Sequence, residues 1–298
     1  MLSKAFPGPS QNVLSQTIDG AERYGTPEDI ELVTREFLSG QAAQNIRHTE
    51  ATYTGYTQYH VFGLPFAEQF AAINRARAWA AQHLDLSMTL TVDISRDVPA
   101  EEGLRVANWA IQGVGQGVTG LGLGGPEVGN PPEKFQAAFD RARAAGLASL
   151  PHAGETVGPA SIWGALRALG AERIGHGVRC LEDPALVAEL RARQIPLEVC
   201  PTSNVCLGVA RSLAEHPLPR LLAEGLYVTL NSDDPPMFNT TLTDEYLQAA
   251  QVFELAPEAL EQLSLRALRA SRLPQKNRDA LERQFQAQFS QLKKEHLP

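Results

Sequence analysis

A histidine and a glutamate stand three residues apart in His152-Ala-Gly-Glu155, directly after a run of small and apolar residues at 143–151. Three similar breaks follow: Gly175-His176-Gly177, then Cys200-Pro-Thr-Ser-Asn204, then Asn231-Ser-Asp233-Asp234-Pro235-Pro236. In each, polar or ionisable side chains appear where an apolar stretch stops, and glycine or proline enforces a sharp exit. Neutral imidazoles with a carboxylate are donors that suit zinc. A carboxyl group partly withdrawn from water can hold a proton near neutral pH. Taken singly, each signal has a plainer reading. A strand-end histidine is more often a hydrogen-bonded structural residue, Asp-Asp-Pro is usually only a turn, and Glu155 could equally complement a helix N-terminus. A purely structural reading does not easily supply the ordered set on successive elements.

The elements that must position these residues alternate in type. Apolar or β-branched runs bounded by turn signals predict strands at 45–52, 88–94, 118–123, 147–152, 173–176, 196–200 and 227–231. Helical patterns lie between them at 132–145, 159–169, 183–194 and 217–224, and three more follow the last strand at 243–255, 257–273 and 277–297. Residues 1–44 read as an irregular start plus a helix beginning near Thr26-Pro27-Glu28-Asp29. Alternation of this kind implies parallel pairing, as in a TIM-type (β/α)8 barrel or a doubly wound sheet. In both, functional groups gather at the carboxyl ends of the strands, so the four motifs are expected to converge on one mouth. No linker, charge block or low-complexity segment divides residues 1–298, which favours a single domain.

Composition narrows the partners. The chain has 298 residues, 43% of them hydrophobic, and a formal net charge of −8 with no basic stripe, which argues against nucleic acid or an anionic membrane as a partner. It has no apolar run of the roughly 18–20 residues that a span needs and no apolar core of a secretory signal near its start, so a cytoplasmic location is expected. Three cysteines, Cys180, Cys200 and Cys206, are an odd number in a chain too large to need disulfides, and read as reduced thiols. Two matches to the dinucleotide-loop pattern, at 115–120 and 120–125, fail its context, since the first precedes a strand and the second spans one. Cys200 reads as a small buried residue. Tyr53, Tyr56 and Tyr59 could shape a pocket or stand as loop aromatics facing solvent, while Phe62, Phe66, Phe70 and Trp79 read as core and helix-face residues.

The runs His152–Glu155, 173–177, 198–204 and 230–235 together closely resemble the adenosine deaminase family of the amidohydrolase superfamily, and the resemblance continues from about Ile46 to the C-terminus. It implies a (β/α)8 barrel holding one Zn2+ that activates water to displace ammonia from C6 of a purine. Residue by residue, it implies His152 and Asp233 as zinc ligands, Glu155 as the proton donor to purine N1, and His176 as the residue that orients and deprotonates the water. Asp234 would hydrogen-bond that water or purine N7, and the backbone N–H of Gly125 would meet purine N3. Adenosine, adenine and aminodeoxyfutalosine deaminases share this set. Where adenine-specific relatives tend to carry Ser-Ser-Glu, this chain has Gly124-Gly125-Pro126-Glu127, which favours a nucleoside substrate.

One departure is large. Family members carry a His-x-His pair at the end of the first barrel strand, and none of the seven histidines here is two positions from another. Together with the strand count, this leads to the expectation of an incomplete barrel whose first strand and loop, on the order of fifty residues, are missing. A shortened form of an ordinary deaminase is favoured over a natural protein that has lost its zinc chemistry. With two of the usual ligands, the chain is expected to bind zinc poorly, since catalytic zinc normally has three from the protein, and its open strand edges would favour aggregation. The alternative function is that of a non-catalytic purine-binding module.

Overall fold

The computed structural model describes residues 25–296. Their contacts separate into two compact units: one runs to Pro151 and includes Gly164–Ala171, the other holds His152–Trp163 and the chain from Glu172 onward.

The first unit opens with helix α1 (Pro27–Ala43), whose start is set by a capping box in which Thr26 and Asp29 satisfy each other's backbone N–H groups. Strand β1 (His48–Tyr53) follows, then α2 (Gly55–Phe62), α3 (Phe66–His83), β2 (Ser87–Ser95), α4 (Ala100–Gln112), β3 (Val118–Gly124) and α5 (Gln136–Ala144). Strands β1, β2 and β3 pair in parallel in sequence order, and β3 pairs with Ala148–Pro151 of β4 (Ala148–Ala153). The alternation along β2 explains what each face does. Met88, Leu90, Val92 and Ile94 join the hydrophobic core formed with the helices, which includes Phe66, Ile73, Val106 and Phe139. Thr91 and Asp93 take the opposite face, beside Gly120 and Gly122 of β3. A β-carbon at Gly122 would lie 2.5 Å from one Asp93 carboxylate oxygen and one at Gly124 would lie 2.7 Å from the other, so only glycine leaves room for this buried carboxylate.

The second unit begins with His152 and Ala153, the last residues of β4, which pair with Gly175 and His176 of β5 (Ile174–His176). Strand β6 (Leu197–Val199) pairs with β5 and with β7 (Val228–Leu230), again in parallel. These short strands are buried at every position but Glu198, which is partly buried, as parallel strands covered by helices require. The helices are α6 (Pro159–Arg167, begun in this unit), α7 (Pro184–Arg193), α8 (Pro201–Cys206), α9 (Leu218–Ala223), α10 (Pro235–Phe238), α11 (Leu242–Gln251), α12 (Pro257–Ala270) and α13 (Gln275–His296). Asp183 caps α7 by accepting from the N–H groups of Ala185 and Leu186, and Thr241 with Asp244 forms a capping box for α11.

All seven expected strands are present, with their ends displaced by no more than three residues. The pattern at 132–145 resolves into a 3-10 turn, Pro132–Phe135, followed by α5. Helices α2, α3 and α4 were not among the marked patterns, and α2 corrects the loop reading of the tyrosine row. Tyr56 and Tyr59 lie on that helix, the Tyr59 ring meets Trp109 edge-on at 5.3 Å, and the half-buried Tyr53 hydroxyl donates to Gln69 at 2.7 Å. Among the described residues no strand precedes β1, and the irregular start assigned to residues 1–24 lies outside them. No helix of the described residues is long and apolar enough to cross a membrane.

Candidate active site

The four motifs fall at the carboxyl ends of the four successive strands of the second unit, and the parallel register decides which side chains meet. The pairing of His152 with Gly175 lays the imidazole across a residue without a side chain. A β-carbon at Gly175 would sit 2.7 Å from both Cγ and Cδ2 of His152, so any larger residue would push the ring out of place. One residue on, His176 ends β5 with a φ of 59°, and Asp233 after β7 has a φ of 56°. The left-handed region costs a non-glycine residue about 1–3 kcal/mol and persists only where the surroundings hold it. Here the exit from β5 is held by two backbone bonds, from Gly177 N–H to Ala153 and from Arg179 N–H to Gly154, at 3.0 and 3.1 Å. Asn231 N–H donates to Val199 at 2.9 Å and carries the β7 ladder up to the Asp233 turn.

These exits bring three of the expected residues together. His152, His176 and Asp233 each offer a donor atom, and the three atoms lie within 4.8 Å of one another. The two imidazole rings are 5.3 Å apart and inclined by 49°. His176 Nε2 is 3.6 Å from a Glu155 carboxylate oxygen and 3.8 Å from one of Asp233, so two carboxylates face one imidazole that is only 3% exposed. Negative charge at this density suits a bound cation among them. Asp234 follows directly at the N-cap of α10, where its carbonyl accepts from the N–H groups of Met237 and Phe238. Gly125 belongs to the first unit. It follows β3 with a φ of 85°, and a β-carbon there would approach Ser95 Oγ to 3.3 Å.

Three further residues support the site. Ser203 Oγ donates to an Asp233 carboxylate oxygen at 2.7 Å. Asn204 lies with its amide nitrogen 3.2 Å from His176 Nδ1 and its oxygen 3.1 Å from His216 Nε2, all three side chains being buried. Ser203 and Asn204 stood within a motif already singled out at a strand end, so their neighbourhood was legible but their partners were not. His216 carried no signal beyond being a histidine. Glu198, on the same segment, is engaged elsewhere, 2.8 Å from the Arg173 guanidinium, which also donates to the carbonyl of Ala270. Cys200 is buried as expected, and burial pushes its thiol well above the ordinary range.

Residues 15–288 match the family model described as adenosine deaminase. The chain belongs to the adenosine deaminase family. An aminodeoxyfutalosine deaminase of Streptomyces avermitilis is 42% identical over 252 residues, covering 83% of this chain and 69% of that protein. A second, from Streptomyces coelicolor, is 42% identical over 248 residues, and this chain spans 64% of its length. An adenine deaminase of Chlorobium phaeobacteroides is 38% identical over 251 residues, covering 84% of this chain and 74% of that protein. Among solved structures, an adenine deaminase from Arthrobacter aurescens superposes with a TM-score of 0.84 at 34% identity, covering 89% of this chain and 80% of that one. An amidohydrolase from Burkhoderia ambifaria with bound Zn does so with a TM-score of 0.85 at 26% identity, covering 90% and 74%. The α/β barrel class expected from the sequence is thereby borne out, with seven of its strands among the described residues. So is the enzyme class, since the named relatives are deaminases, hydrolases of C–N bonds, in a metal-dependent family.

Proposed function

We propose that the site hydrolyses the exocyclic C–N bond of a 6-aminopurine nucleoside, with zinc as its metal, releasing ammonia and the 6-oxo product. The observation that carries this reading is the meeting of His152, His176 and Asp233 donor atoms within 4.8 Å, with the Glu155 carboxylate 3.6 Å from His176. The donor chemistry fits zinc, because imidazole nitrogen and carboxylate oxygen are its ordinary ligands. His152 and Asp233 would hold the ion. When bound, it supplies the Lewis acidity that makes water a nucleophile near neutral pH.

The chain's own residues divide the remaining work. Glu155 delivers a proton to the purine ring nitrogen N1 as water adds at C6, so that the ring carries no developing negative charge. His176 orients the attacking water between the carboxylates that flank it. Of the two protons the water gives up, one replaces the proton that Glu155 delivers to N1 and the other goes to the amino nitrogen, which leaves as ammonia. Asp234 accepts a hydrogen bond from that water or meets purine N7. Identity of 42% to aminodeoxyfutalosine deaminases against 38% to an adenine deaminase, together with Gly124-Gly125-Pro126-Glu127, supports a nucleoside over the free base.

Incubating the purified chain with zinc and, in parallel, with aminodeoxyfutalosine, adenosine and adenine should give ammonia and an ultraviolet shift fastest with one of the two nucleosides. Absence of turnover on all three, with zinc bound, would overturn the reading. Purine binding without zinc uptake would instead mark a non-catalytic purine binder, for which the absence of a His-x-His pair is the one supporting observation. Ser203→Ala should weaken zinc binding about 10–100-fold, since groups that orient a ligating carboxylate typically contribute that much. Competition with a chromophoric chelator measures it.

A further inference from the structure

The hydrogen-bond chain behind His176 has a direction, and its direction follows from one backbone group. The N–H of Leu218 can only donate, and it lies 3.1 Å from His216 Nδ1. His216 Nδ1 is therefore an acceptor without a proton, and a neutral imidazole then carries its single proton on Nε2. Burial pushes the His216 imidazole down to about 4, with His176 adding to the effect, so the neutral form prevails at pH 7. Its Nε2–H donates to the group 3.1 Å away, which must be the oxygen of the Asn204 amide. The Asn204 nitrogen is thereby turned toward His176 Nδ1 at 3.2 Å and donates to it. Flipping the amide would set its NH2 against the Nε2–H of His216, two donors inside a region where neither could turn to water.

Resting on the reading of this site as a deaminase centre, we propose that Asn204 and His216 are positioning residues that hold His176 as its Nε2–H tautomer. His176 then shows Glu155 and Asp233 an N–H rather than a lone pair. Two consequences follow for the trio that meets within 4.8 Å. A nitrogen that carries a proton does not ligate a metal, so His152 and Asp233 are the donors and His176 is not. A donor also orients water by its oxygen and does not remove a proton from it, so His176 would orient the water and leave its proton to a carboxylate. A histidine that ligates a metal commonly donates its second ring N–H to an acceptor. Here the second nitrogen faces an amide donor instead.

Long-range proton–nitrogen correlation spectra of the metal-free full chain, labelled with 15N at histidine, read the tautomers directly. His176 and His216 are both expected to show a pyridine-type Nδ1 and a pyrrole-type Nε2. In Asn204→Asp both side-chain oxygens accept, so Nδ1 of His176 should become pyrrole-type while His216 keeps its pattern. A pyrrole-type Nδ1 at His176 in the unaltered chain overturns the proposal, and so does a His176 pattern that the carboxylate introduced by Asn204→Asp leaves unmoved. If that variant does not fold, the unaltered chain decides alone. Because the readout needs neither zinc nor turnover, a chain with these tautomers but no deaminase activity would refute the functional reading and leave the tautomer assignment standing.

Discussion

Glu155→Gln is expected to slow ammonia release from the preferred purine by about 10²–10⁴-fold, the range that a positioned general acid or base contributes. The replacement keeps the size and planarity of the side chain, and at 19% side-chain exposure the glutamate sits where a neutral amide fits without a large change in packing. What is lost is the transferable proton. An amide can hydrogen-bond a ring nitrogen but cannot protonate it as the electron pair arrives, so the deficit should appear in kcat and leave KM nearly unchanged. Zinc binding should be retained, since His152 and Asp233 would hold the ion and Glu155 is outside the group of donor atoms that meet within 4.8 Å. Activity within tenfold of the unaltered chain would remove Glu155 from the acid role, and a parallel loss of zinc would make it a ligand instead.

The second large effect concerns stability. Phe139 on α5 is fully buried in the core of the first unit. Phe139→Ala is expected to destabilise the protein by about 3–5 kcal/mol, the sum of lost transfer free energy and the cavity left in a close-packed interior. Urea unfolding followed by circular dichroism measures the change, and Leu292→Ala serves as the comparison. Leu292 is half exposed on α13, and its truncation should alter stability by no more than about 0.5 kcal/mol. Equal effects at the two positions would contradict the burial assigned to Phe139.

The residues that meet at the candidate site were more legible in the sequence than the helices that support them. His152, His176 and Asp233 were recognisable because glycine, proline and a change from apolar to polar residues mark the ends of buried parallel strands, and those marks are local. The weaker readings failed where local signals compete. Helix α2 follows β1 after a single intervening residue, and its tyrosines suit a loop as well as a helix. At 132–145 the proline at 132 and its neighbours favour a tight turn before the regular helix begins.

By itself, the sequence determined the number of the described strands and their places along the chain, the strand ends that bear ionisable groups, the absence of a His-x-His pair and the family to which these motifs point. All are properties of periodicity, of residues that cannot continue a strand, or of residue identity. Only the tertiary structure decided which groups face one another. Glu155 lies beside His176 while Glu198 is taken by Arg173, and Asn204 spans the distance between His176, 28 positions earlier, and His216, 12 positions later. Such pairings depend on the register of parallel strands, where a slip of one residue turns every side chain to the opposite face. That register is set by packing across the sheet, so no local stretch of the chain encodes it.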